Sequence, residues 1–219
     1  MAPTLAGDTP MYTLYWSPGS ASMAPHGCLE EAGTPYTLKR VDPSKGEHQA
    51  ADYLALNPKG KVPTLVIDGS DVLTESAAIC MLIADRHPDA GLAPVHGDPR
   101  RGHYYGWLTH LTNTLQPAML EFYYPDRHTT SANGTEAVAA KARETIAAIW
   151  QRIDAQLAAK GPYLLGDRFS AADIFCHMLS TWQECCPDTY ARFPAVKRLA
   201  ELVAARPAMG RVIAQNQAA

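Results

Sequence analysis

Lys59-Gly60-Lys61-Val62-Pro63-Thr64-Leu65 sets the reading of this chain, because a proline stands where a loop becomes a β-strand. At the first residue of a strand, proline's missing N–H costs no ladder hydrogen bond. A cis Val62–Pro63 bond would turn the Val62 N–H and C=O away from the sheet and offer them to an extended peptide, much as an edge receives an added strand. The plain alternative is a loop-to-strand junction with a trans proline.

Working outward from that stretch, residues 64–67 and 71–74 read as a hairpin across Asp68-Gly69-Ser70, where turn residues are wanted. Residues 75–87 read as a helix stopped by Pro88. Upstream, 11–16 is a short β-rich run closed by Ser17-Pro18-Gly19, and 22–32 carries helical spacing up to a C-cap at Gly33. A strand at 36–41 and a short helix at 49–56 complete the set. Strand, helix, strand, helix, strand, strand, helix within 11–87 is too short for a doubly wound nucleotide fold; it suits a small mixed sheet with helices on both faces. From Asp98 onward the only convincing period is near 3.6, with helices expected at about 98–124, 136–159, 171–183, 194–204 and 207–215. The division follows: a flexible tail at 1–10, an α/β domain at 11–89, a Gly- and Pro-rich linker at 90–97, and an all-helical domain at 98–219.

Composition narrows the function. The 219 residues are 47% apolar and 19% charged, with a net charge of −3, as in an ordinary globular protein. Lys and Arg are scattered and no phosphate-binding glycine loop is present, so no nucleic acid is expected as partner. No apolar run approaches the roughly 20 residues of a membrane helix, so no membrane is expected either. The five cysteines, Cys28, Cys80, Cys176, Cys185 and Cys186, are odd in number and lack a C-x-x-C pair, which fits reduced thiols in a cytoplasm.

Two strand-to-helix junctions carry chemistry. In Thr74-Glu75-Ser76-Ala77-Ala78-Ile79, unpaired amides at the helix start attract an anion. Ser76 can hydrogen-bond a carboxylate while Glu75 pairs with an ammonium, so the two suit a free α-amino acid group. A plain helix cap by Thr74 or Ser76 is the competing reading. In Ser17-Pro18-Gly19-Ser20-Ala21-Ser22-Met23-Ala24-Pro25-His26, a thiol would meet the positive end of a helix dipole. Such placement lowers a thiol pKa from about 8.5 towards 7 or below, roughly a tenfold gain in thiolate. A serine hydroxyl donating to sulfur would add to it; the competing reading is that these serines only make the turn and cap.

All three stretches sit at one end of the expected sheet, and together they resemble the glutathione S-transferase superfamily, the bacterial beta class most of all. Tyr15 to His26 is similar to that class's opening segment, Asn57 to Pro63 to its cis-proline loop, and Leu73 to Ile79 to its γ-glutamyl-binding turn. Pro162 to Ile174 resembles the folding signature of the helical domain, with Ser170 and Asp173 as a capping box. The resemblance implies a thioredoxin-like N-terminal domain followed by an all-α C-terminal domain. It implies that Val62, within Lys61-Val62-Pro63, pairs its backbone with the cysteinyl part of glutathione, that Glu75 and Ser76 hold the γ-glutamyl end, and that Lys45 reaches the glycyl carboxylate. Trp16, Met119, Tyr123 and Tyr124 are candidate walls of a hydrophobic pocket, with core packing as the alternative.

Two departures matter. Ala21 stands where the beta class has a cysteine, and Trp16 where it has a tyrosine; a histidine of the second domain is also replaced near Leu115 and Gln116. The remaining donors are Ser20, then Ser22 and Ser17, together with the backbone N–H groups of Ala21 and Ser22. What is implied is a homodimeric, cytoplasmic transferase, with glutathione as co-substrate and no metal, conjugating the glutathione thiolate to a small hydrophobic electrophile. The dimer contact would be the apolar face of the helix after Glu75. Glutathione-dependent disulfide reduction or lysis, and glutathione binding without turnover, are the rival readings.

Overall fold

Tyr12, Leu14 and Trp16 alternate with Thr13 and Tyr15, and in the strand they form, β1 (Tyr12–Trp16), the first set is buried. Our computed structural model describes residues 11–218, so the tail read at 1–10 lies outside the described residues. Helix α1 (Met23–Ala32) follows and ends at Gly33, whose φ of 62° is the left-handed conformation a C-cap requires. Strand β2 (Tyr36–Arg40) pairs parallel to β1, from Tyr12 opposite Tyr36 to Trp16 opposite Arg40. Two 3₁₀ turns, Pro43–Lys45 and Glu47–Gln49, precede α2 (Ala51–Leu56). The hairpin forms as expected: β3 (Thr64–Ile67), antiparallel to β1, and β4 (Asp71–Thr74), antiparallel to β3, give the order β2-β1-β3-β4. Helix α3 (Ser76–Arg86) closes the domain.

The helices cover both faces. Trp16 lies 6.0 Å from the His26 ring of α1, while Tyr15, on the opposite face, lies 5.7 Å from Tyr53 of α2. This is the thioredoxin-like arrangement. The stretch read as a linker is strapped down more firmly than its composition suggested. Leu92 and Ala93 are buried, and the carbonyls of Leu92, Ala93 and Pro94 accept from Ala171 N, Arg168 Nη2 and Arg101 Nη1.

The second domain is built from helices, with isolated β-bridges only between Tyr163 and Gly166 and between Leu165 and Arg168 among the described residues. Where one helix was expected over 98–124, the structure has α4 (Arg100–His110), a π turn at Leu111–Leu115 and α5 (Gln116–Tyr123). Pro117 supplies the reason. It has no N–H for the Asn113 carbonyl and its ring crowds that carbonyl, so the helix opens just ahead of it. Then come α6 (Thr135–Lys160), α7 (Ala171–Ser180), the short α8 (Thr189–Arg192), α9 (Pro194–Ala204) and α10 (Pro207–Ala218).

Every residue of α7 is buried, and its start carries the expected capping box. Asp173 accepts from Ser170 N at 2.8 Å and, with its other oxygen, from Leu164 N at 2.8 Å, so two buried amides depend on one carboxylate. A single cap of this kind contributes about 1 kcal/mol. Helix α10 returns to the first domain, where Arg206 makes a two-pronged pair with Glu31 at 2.7 Å and Arg211 reaches Glu30 at 2.7 Å.

Candidate functional site

Glu75 makes the turn from β4 into α3 with φ 72° and ψ 108°, a conformation side-chain-bearing residues avoid. Holding it costs about 1–3 kcal/mol, and such strain gathers at ligand sites. The turn frees the amides of Ser76, Ala77 and Ala78, because the first helical bond runs from Ile79 N to Glu75 O. These amides, with the 7% exposed Ser76 at the helix start, form a seat for a carboxylate. The Glu75 carboxylate pairs with Lys59 Nζ at 2.5 Å. Both side chains are mostly exposed, so the pair adds little stability and stays available to an ammonium.

Opposite it, the Val62–Pro63 bond is cis and β3 begins only at Thr64. Among the described residues, Val62 makes no backbone hydrogen bond. The loop is held from behind. Asn57 Nδ2 donates to Lys61 O at 2.6 Å and to Thr64 Oγ1 at 3.0 Å, and Tyr53 OH donates to Lys61 O at 2.7 Å. The result is a fixed, unpaired backbone edge.

The third turn is closed by a ring of two hydroxyls and one backbone carbonyl. Ser20 Oγ donates to Ser17 O at 2.7 Å, Ser20 and Ser22 hydroxyls lie 2.7 Å apart, and Ser22 Oγ lies 3.1 Å from Ser17 O. Ser22 is fully buried and Ser17 nearly so. Gly19 N is held by Asn216 Oδ1 of α10 at 3.2 Å. The ring fixes the turn so that α1 starts just behind Ala21.

These parts meet in one cleft of about 210 Å³ between the domains. Its first-domain wall includes Ala21, Lys61, Val62, Pro63, Glu75 and Ser76, so the structure brings together most of the residues read for glutathione. Lys45 is not among them; it is exposed and lies 3.6 Å from Asp42. Ser17, Ser20 and Ser22 lie behind Ala21 rather than in the wall. The helical wall is Thr112, Gln116, Pro117 and Leu120. The four residues read as pocket walls sit elsewhere. Trp16 and Met119 are buried in the core, Tyr123 packs edge-on to Trp182 at 6.4 Å, and Tyr124 lies under Arg127 at 4.1 Å. Thr112, Gln116 and Leu120 follow each other at intervals of four, hence on one helix face; Thr112, Leu120 and Lys59 are site residues the sequence reading passed over, whereas Gln116 entered it only as the place of a replaced histidine. Pro117 and the four-residue spacing were the available signals.

The remaining singled-out groups are structural. His26 is fully buried, 2.9 Å from Tyr36 OH, and burial lowers its pKa to about 4, so it is neutral at pH 7. All five cysteines are free and buried, and burial pushes the Cys28 thiol up. Among the described residues no cluster of His, Cys, Asp or Glu is arranged for a metal, and no helix is long and apolar enough to cross a membrane.

Comparison with known proteins agrees with this geometry. Residues 20–86 match the family model described as Glutathione S-transferase, N-terminal domain, and residues 112–215 the one described as Glutathione S-transferase, C-terminal domain. The chain belongs to the glutathione S-transferase family. Glutathione S-transferase GstA of Escherichia coli O157:H7 is 31% identical over 171 residues, 77% of this chain and 81% of its own. Disulfide-bond oxidoreductase YfcG of Escherichia coli K12 is 29% identical over 94% of this chain and 96% of its own. A glutathione transferase homologue from Sulfitobacter, solved with bound glutathione, superposes with a TM-score of 0.85 at 31% identity, covering 94% of this chain and 98% of that one. A bacterial beta class glutathione S-transferase from Sphingomonas chungbukensis superposes with a TM-score of 0.81 at 29% identity, covering 93% and 98%.

Proposed function

We propose that this protein is a glutathione transferase that ionises the thiol of glutathione and presents it to a small hydrophobic electrophile. The observation that carries the reading is the meeting of the Val62 edge, the Glu75–Ser76 turn and the start of α1 in one cleft. The cysteinyl backbone of glutathione pairs with Val62. Its γ-glutamyl carboxylate takes the α3 amides and the Ser76 hydroxyl, and its ammonium takes Glu75 beside Lys59. Lys61 borders the glycyl end; Lys45 reaches it only by swinging away from Asp42.

The sulfur then lies against Ala21, where the α1 amides lower its pKa. Ser20 adds a donor if its hydroxyl leaves the Ser17 carbonyl, with Ser22 and Ser17 behind it. The thiol proton goes to solvent, sulfur forms a bond to the electrophilic carbon, and the leaving group departs with its electron pair. Pro117 and Leu120 give the electrophile an apolar wall. Positioning of two reactants and activation of the nucleophile supply the catalysis, with no metal in this reading. A cytoplasmic homodimer joined through the α3 face completes the proposal.

One observation favours a second reading. The relative YfcG is described as a disulfide-bond oxidoreductase, although the cleft offers alanine where an enzyme thiol would sit, which favours binding without turnover instead. Disulfide reduction or lysis here would need a second glutathione in place of an enzyme cysteine; binding without turnover would need none. Isothermal calorimetry with glutathione, followed by assays with chlorodinitrobenzene and with a mixed disulfide, separates the cases. Binding with conjugation supports the transferase, binding with reduction alone supports the second reading, and binding without either leaves a binding module. No binding sinks all three.

A further inference from the structure

The turn at residues 17–22 is tied to the helical domain at Gly19. Gly19 N donates to the Asn216 carboxamide oxygen of α10 at 3.2 Å, across 197 residues of sequence. The nitrogen of that carboxamide is spent on Val212 O, one helical turn back, at 2.9 Å, so the oxygen is the end turned to Gly19. Helix α10 is itself fixed on α1. Met209 and Val212 are fully buried, and the Arg206–Glu31 and Arg211–Glu30 pairs fasten the helix at two levels. Asn216 therefore acts from a firm support.

Over residues 17–23 every amide but one is claimed. Ser17 N and Ser22 N donate to the Ser22 and Ser20 hydroxyls, Ser20 N and Met23 N to the Ser17 and Ser20 carbonyls, and Gly19 N to Asn216, while Pro18 has no N–H. Ala21 N has no acceptor among the described residues, and Ala21 lies in the cleft wall. The arrangement depends on Gly19, whose φ of 64° is one of many conformations open to glycine. A turn built on so permissive a residue keeps its shape better when its amide is held from outside.

We propose that Asn216 is a positioning residue for thiol activation: by holding Gly19 it keeps the turn closed, so that the Ala21 amide stays free for the sulfur of glutathione. Asn216 touches no substrate and acts through Gly19 alone. A donor fixed in advance stabilises developing negative charge without reorganising at the moment of ionisation. With the tie cut, Gly19 rotates, the ring through Ser17, Ser20 and Ser22 loosens, and the Ala21 amide must be ordered each time the thiol ionises. This inference rests on the glutathione site proposed above.

The test is an ultraviolet titration of the thiolate with saturating glutathione, in the full chain and in Asn216→Leu, Asn216→Asp and Arg211→Ala. Asn216→Leu keeps the shape and removes both hydrogen bonds. It should raise the pKa of the bound thiol by about half a unit, roughly a threefold loss of thiolate below that pKa. Calorimetric affinity should stay within about twofold, since Val62, Glu75 and Ser76 are untouched. Asn216→Asp keeps the acceptor for Gly19, and in about 0.5 M salt, which screens its charge, it should titrate like the parent. Arg211→Ala loosens the same helix without touching Gly19 and should leave the titration unchanged. An unshifted pKa in Asn216→Leu, an equal shift in Arg211→Ala, or no rescue by Asn216→Asp overturns the inference while the glutathione site stands. If the parent itself binds no glutathione, both fall.

Discussion

At Glu75 the backbone holds a φ of 72° for the sake of where it sends the chain and its carboxylate. Glycine adopts that conformation freely. Glu75→Gly should therefore raise the unfolding free energy by about 1 kcal/mol while weakening glutathione binding about tenfold, through loss of the ammonium partner. Glu75→Ala should lose the binding without gaining the stability. Urea denaturation and calorimetry on the two variants check it, and equal stabilities would mean the turn is not strained. Which residues surround Glu75 was only partly legible beforehand. Its pairing with an ammonium follows from charge and from the helix start, but Lys59 as its present partner does not, because the two are 16 residues apart and their meeting depends on how the Val62 loop folds back.

Among the elements, α7 was legible in existence and start, from its apolar period and the Ser170–Asp173 box, but not in its burial on all sides. That burial has a consequence for acid stability. His177 lies in α7 with both ring nitrogens unpartnered among the described residues, and burial lowers its pKa to about 4. In the unfolded chain it titrates near 6.5. The unfolded state therefore binds more protons between those values, so the contribution is intact above about pH 6.5 and is lost as pH falls towards 4. His177→Leu, which orphans no hydrogen-bond partner, should reduce the stability lost between pH 7 and pH 4 by up to about 3 kcal/mol. Thermal melts of both proteins across that range measure it; parallel curves would show that His177 is not kept neutral. The same contrast applies to α4 and α5. A continuous helical period hides the π turn, and only the proline at 117 marks it.

At the scale of the molecule, the domains pack tightly against each other at Gly27. A Cβ there would lie 2.7 Å from Met209 Sδ and 2.8 Å from Ile174 Cγ2, both in the helical domain. Gly27→Ala should cost about 1–3 kcal/mol. If, as proposed, the first domain holds glutathione and the second lends the electrophile wall, the variant should lose conjugation more than glutathione affinity. Separate measurement of calorimetric affinity and turnover checks this; equal losses in both would argue that the cleft responds as one body.

Local patterns settle a great deal: strand alternation, turn residues, a proline opening β3 and two helix starts are properties of neighbouring residues, so sequence alone determined the sheet, its helices and the residues proposed for the glutathione end of the site. Tertiary structure decided the other wall and the state of the serines. Thr112, Gln116 and Leu120 reach the cleft, and Met119, Tyr123 and Tyr124 do not, because the facing side of a helix depends on the partner it packs against. The hydroxyls of Ser20 and Ser22 close on each other and on the Ser17 carbonyl for the same reason: a donor's target is fixed by distances in space, which residue order does not encode.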